Sequence, residues 1–202
     1  MIVILRSALF VFVCLLAALG PVRADEAQDR RVEQGVALYD DGAYAQAKTI
    51  LLPLAEAGHP KAMHFIGRMN KFGQGFSAYP AIGCDWYERA ANAGYANSMY
   101  NMSICYDGFG RPDDPDMDKQ WLLKAAEHGV TDAMINLSAL DLTEGEEYRY
   151  WMNQAVQHGS VYAQVSLWLQ GYKNDVPDIK VQDIVCVSVL VLILDRDFGA
   201  CD

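Results

Sequence analysis

The residues of this chain that could do chemistry are cysteines, histidines and one run of aspartates. Beyond Cys14, cysteines stand at 84, 105, 186 and 201, an even number that suits disulfides in an oxidising compartment. No C-x-x-C spacing joins any of them, so they are either bridged or buried as apolar thiols. The histidines His59, His64, His128 and His158 have no metal-ligand companions at useful spacing. In "DDPDMDK" (113–119), Asp114, Asp116 and Asp118 alternate as in the start of a calcium loop. The sixth position is Lys119 rather than Gly, and the twelfth is Ala125 rather than Glu. A solvated loop with an Asp capping the next helix is the preferred reading. "NMS" (101–103) and "NLS" (136–138) have the form of glycosylation acceptors but fall within helical patterns, where a surface loop is not expected. G-x-S-x-G, S-x-x-K, H-E-x-x-H and a phosphate-binding glycine loop are all missing. Nothing calls for catalysis, a cofactor or a metal.

The elements that would position these residues recur. Gly58, Gly94, Gly129 and Gly159 are spaced by 36, 35 and 30 residues. Each follows a helical pattern. Trp86, Trp121 and Trp151 stand eight residues before the last three. Four residues after each Gly comes Ala62, Ser98, Ala133 or Ala163, and four later Ile66, Met102, Leu137 or Leu167. That is one apolar helix face on the far side of a turn. The Gly is then the residue after a helix C-cap, where positive φ penalises a Cβ. His128 and His158 precede it, where a cation suits a helix C-terminus. Each unit is an αα-hairpin that must stack on its neighbours to bury its apolar face. The aromatics Trp86, Trp121, Trp151, Tyr87 and Tyr106 are read as core or inter-repeat packing. Pro53 falls inside the helix starting at Tyr44, where it removes a backbone donor.

The two ends read differently. Residues 1–24 carry Arg6, an apolar run from Ala8 to Leu19, and Val22 and Ala24 before Asp25, the form of a secretory signal peptide. The run is too short to cross a bilayer core, although an anchor that also uses Met1–Leu5 is the alternative. Cleavage would remove Arg6 and Arg23 and move the formal charge from −10 to −12. That charge disfavours nucleic acid and anionic membrane surfaces, and leaves a partner with a basic surface open. Residues 176–202 include the apolar run "IVCVSVLVLIL" (184–194), expected to form a C-terminal cap or tail.

The stretches "WYERAANAGYANSMYNMSICYDGFG" and "AGHPKAMHFIGRMNKFGQGF" resemble the Sel1-like repeat, a relative of the tetratricopeptide repeat. The resemblance covers roughly residues 34–173. Ser103 and Ser138 replace its second-helix Gly, Asn70 and Asp141 replace its Tyr, and the fourth unit is shortened between Leu142 and Tyr148. It implies an all-α, right-handed superhelical solenoid of about four antiparallel helix hairpins over residues 25–175. In cysteine-rich members a bridge joins the two helices near the turn, at positions matching Ala91 and Ser98. Cys84 lies seven residues before the first and Cys105 seven after the second, so a Cys84–Cys105 bridge one heptad along the seam is expected. Cys186 and Cys201 could form a second pair. With export read from residues 1–24 and no catalytic motif present, the expected protein is a periplasmic or secreted module rather than an enzyme. The resemblance implies that it binds another protein on its curved surface, as an envelope regulator, a host-interaction factor or a toxin-immunity protein. Glu88, Arg89, Asn92, Lys119, Lys124, Arg149 and Asn153, on the solvent side of the first helices, are candidate contacts. Two alternatives remain: a cell-wall or β-lactam-acting enzyme, as some cysteine-rich relatives are suggested to be, and a structural subunit without a ligand.

Overall fold

The structure, a computed structural model, describes residues 26–140, 145–172 and 176. The signal-peptide reading, the Cys186–Cys201 pair and nearly all of the proposed C-terminal cap lie outside those residues. Helix α1 occupies 26–40. Then come α2 (Tyr44–Glu56), α3 (Pro60–Phe72), α4 (Pro80–Asn92), α5 (Ala96–Tyr106), α6 (Pro115–Glu127), α7 (Thr131–Leu140), α8 (Glu146–Gln157) and α9 (Val161–Leu169). The described residues contain no strand. Extensive packing runs between helices adjacent in sequence, the signature of a solenoid. The packing between hairpins (α3 on α4, α5 on α6, α7 on α8) exceeds that within them, so stacking holds the molecule together.

The glycine punctuation is a repeated Schellman motif. At Gly94 (φ +88°) its amide donates to the Ala91 carbonyl, and the Tyr95 amide reaches back to Ala90 at 3.0 Å. The same pair of bonds recurs at Gly58, Gly129 and Gly159. No atom would crowd a Cβ at Gly94, so backbone conformation alone selects glycine there. Gly67 and Gly83 serve a different purpose. A Cβ on Gly67 would stand 2.8 Å from the Tyr87 ring, and one on Gly83 would stand 2.8 Å from the Gly67 carbonyl. These two residues let α3 and α4 meet backbone to backbone. At the matching positions in α5 and α7, Ser103 and Ser138 are buried and donate back to the Tyr100 and Ile135 carbonyls.

The apolar face read from the repeat is the core. Ala62, Ser98, Ala133 and Ala163 are buried, as are Ile66, Met102, Leu137 and Leu167. Of the aromatics, Tyr87 and Trp121 are buried, while Trp86, Trp151 and Tyr106 are half-buried against the two apolar clusters. Pro53 is accommodated within α2. No helix among the described residues is long and apolar enough to cross a membrane.

Candidate functional site

Cys84 on α4 and Cys105 on α5 form a disulfide, with Cα atoms 6.0 Å apart, and both are fully buried. The linker after α5 closes over it. The Phe109 carbonyl lies 3.4 Å from Cys84 Sγ, and a Cβ on Gly110 would meet that sulfur at 2.8 Å. Arg111 then ties the linker to α4 through Asp85 Oδ1 at 2.7 Å and Glu88 Oε2 at 3.2 Å. The linker is therefore a strap over the bridge. Within the aspartate run, an Asp caps the next helix as expected: Asp114 caps α6 by accepting the Met117 amide at 3.1 Å, with Pro115 in the first turn. Among the described residues no group of His, Cys, Asp and Glu side chains could hold a metal ion.

Each histidine has a local task. His59 caps α3 through Nδ1, while its Nε2 stands 3.0 Å from Asp29 of α1. His128 Nδ1 lies 2.9 Å from the Lys124 carbonyl in the last turn of α6. His158 packs over Gly129 of the preceding turn. The repeat pattern explained neither His59 nor His64. His64 is buried between the Phe65, Tyr87 and Tyr95 rings, with Nδ1 2.9 Å from Ser98 Oγ on α5. Burial, then the charges of Arg68 and Lys61, push its pKa down to about 3. The neighbouring Tyr87 hydroxyl is buried without a partner, and burial pushes its pKa up. A serine beside a histidine suggests a nucleophile, but Ser98 is 0% exposed and no substrate atom could reach it.

The cations sort into two kinds. Lys61 and Arg111 pair closely with acids, and Lys119 stands at 3.9 Å from Glu147. Others lie on aromatic rings. Arg89 covers Trp86 and Lys124 covers Trp121, each at 4.1 Å from the ring centroid. These two pairs occupy the same repeat positions, three residues apart on the first helix of consecutive hairpins. Of the other candidate contacts, Asn92 and Lys119 are exposed. Glu88 and Asn153 are half-buried, Glu88 being held by Arg111, and half-buried Arg149 lies 4.7 Å over the Tyr172 ring. The Asn101 and Asn136 sequons sit mid-helix with their serines, Ser103 and Ser138, buried, so neither is presented as an acceptor.

No protein-family model matches the chain, and no curated protein does. Solved structures do. The chain is similar to a Sel1 repeat protein from Oxalobacter formigenes, with 25% identity and a TM-score of 0.63 over 72% of this chain. It spans 61% of that protein's length. It also shares its fold with a protective antigen of uropathogenic Escherichia coli strains that displays an SLR fold. There the identity is 19% and the TM-score 0.54, covering 71% of this chain and 32% of the antigen.

Proposed function

We propose that this Sel1-like repeat solenoid is an exported protein-interaction module that holds another protein against its repeat surface. The observation that carries the reading is the repeated presentation of a cation on a tryptophan, Arg89 on Trp86 and Lys124 on Trp121, along successive first helices. Arg89 and Lys124 are exposed, whereas Trp86 is half-buried and Trp121 buried, so the cations, Arg above all, are what a partner would meet. Stacking also fixes the cation, so less side-chain freedom is lost when a partner binds. Export is supported by the signal-like residues 1–24 and by a fully buried disulfide, a bond that persists in oxidising compartments. The same two observations support a periplasmic or secreted placement. The solvent-facing Asn92 and Lys119 belong to the same proposed contact face, with Glu88, Arg149 and Asn153 at its half-buried margin.

The test is affinity capture by the whole protein from an extract of its own cell envelope, beside the Arg89→Glu/Lys124→Glu variant. The expected result is one stoichiometric partner that the variant loses. A partner retained by the variant would move the binding face elsewhere. No partner under several extraction conditions would overturn the reading.

A further inference from the structure

Lys71 ends the second helix of the first hairpin in an unusual setting. The residue is 6% exposed, yet among the described residues no carboxylate pairs with its ammonium. Two rings stand over the ammonium instead, Phe72 with its centroid at 5.4 Å and Phe109 at 4.6 Å. Both rings are half exposed. Two further exposed apolar residues have their backbones near Lys71. The Tyr79 amide donates to the Asn70 carbonyl, next to Lys71, and Ile82 adjoins Gly83, where a Cβ would lie 3.0 Å from Lys71 Cβ. Arg68, one turn back on α3, is also without a carboxylate partner among the described residues. It lies over the Tyr39 and Phe65 rings.

This arrangement is costly. An ammonium partly drawn from water without an anion is disfavoured, which two neutral rings only partly offset, and burial together with Arg68 lowers the Lys71 pKa. The chain carries 26 acidic residues against 16 Lys and Arg, so a neutralising carboxylate was readily available to it. Exposed aromatic and branched side chains near a charge with no carboxylate partner have the makeup of an interface centre.

We propose that Lys71, framed by Phe72, Phe109, Tyr79 and Ile82, is the docking point for a partner segment in which an Asp or Glu adjoins apolar side chains. The partner's carboxylate meets the ammonium beside the two rings, and its apolar neighbours cover the exposed aromatics. Water leaves both charges as the rings are covered, which strengthens their attraction. The inference rests on the reading of the solenoid as a protein-binding module and names the partner chemistry at one place on it. That chemistry is opposite to the basic partner suggested by net charge alone. The field of the whole chain acts at long range, whereas Lys71 acts at contact, so the two statements concern different distances.

The experiment pans random phage-displayed dodecapeptides on the full chain, then measures the enriched peptides by fluorescence polarisation on wild type, Lys71→Met and Arg89→Glu/Lys124→Glu. Lys71→Met keeps the length of the buried stem, and its thermal melt confirms folding; Phe109→Ala, in the linker, is the second probe. Expected are peptides with Asp or Glu beside apolar residues. Their binding should weaken by at least about tenfold on Lys71→Met, and when the peptide acid is changed to Asn or Gln. Peptides that bind Lys71→Met as well as wild type overturn the proposal but leave the binding-module reading intact. Self-association of the chain that depends on Lys71 also overturns it, because the occupant would then be a second copy. Failure to enrich any peptide counts against both.

Discussion

At the scale of single residues, His64 links the core to pH. Folded, it is a neutral imidazole bonded to Ser98 with a pKa of about 3; unfolded, it titrates near its ordinary 6.5. The unfolded chain therefore takes up a proton that the folded chain refuses. Stability is unaffected by this group above pH 6.5 and falls as pH drops from 6.5 toward 3. The limiting slope is about 1.4 kcal/mol per pH unit, so a loss of about 2 kcal/mol is expected by pH 5. Urea unfolding at pH 7 and pH 5 should show a steeper decline for wild type than for His64→Gln. Equal declines would mean that other groups carry the acid sensitivity. His64 was only half legible in the sequence. Its lack of metal-ligand companions could be read directly. Its burial could not, because a histidine on an apolar helix face is distinguished only by the Ser98 hydroxyl opposite, 34 residues away. Ser98 was placed in the core by its repeat position, and the repeat gives no reason for a polar side chain there.

At the scale of elements, the hairpin and its bridge were legible, and the strap over the bridge was not. Periodicity fixes where Gly94 stops α4, and the symmetry of Cys84 and Cys105 about that turn brings them together. The linker "DGFGRPDD" (107–114) has only turn signals, and its contacts are long-range: Phe109 and Gly110 on Cys84, Arg111 on Asp85 and Glu88. Nor could sequence spacing reveal that Gly67 and Gly83, on different helices, need each other. The bridge closes a loop across a sequence separation of 21, which under the chain-entropy model stabilises the fold by about 3 kcal/mol. A Cys84→Ala/Cys105→Ala variant should lose about that much in denaturant unfolding. Because both sulfurs are buried under the linker, a mild thiol reductant should cleave the native bridge slowly, and faster in Arg111→Ala, where the strap is loosened. Mass spectrometry of alkylated samples over time reads both rates. Cleavage at the same rate in the two proteins would show that the strap does not guard the bridge.

At the scale of the whole molecule, the described residues form two buried clusters, and α4 belongs to both. Ala90 joins the cluster that begins at Val32 and includes Leu51, Ile66 and Met69. Cys84, Tyr87 and Ala91, on the same helix, join the cluster that continues through Met102, Met134 and Leu167. Stability in a stacked array is a sum of unit and neighbour terms, so a defect in one cluster weakens the other only through their shared helix. That helix is also the best secured, held by the disulfide, by its backbone contact with α3 and by Arg111. Leu51→Ala should cost about 2–5 kcal/mol and remove most of its amide-exchange protection from α1 to α3, with α6 and α7 little changed. Met134→Ala should do the reverse. If either substitution lowers protection evenly from α1 to α9, the array unfolds as one unit and α4 is no boundary. A boundary at α4 has a consequence for binding. Lys71 and Phe72 lie on the N-terminal side of it, Phe109 lies beyond it, and a partner seated on all three would clamp the two clusters together. Such a partner would protect amides on both sides of α4, an effect that a ligand confined to either cluster could not produce.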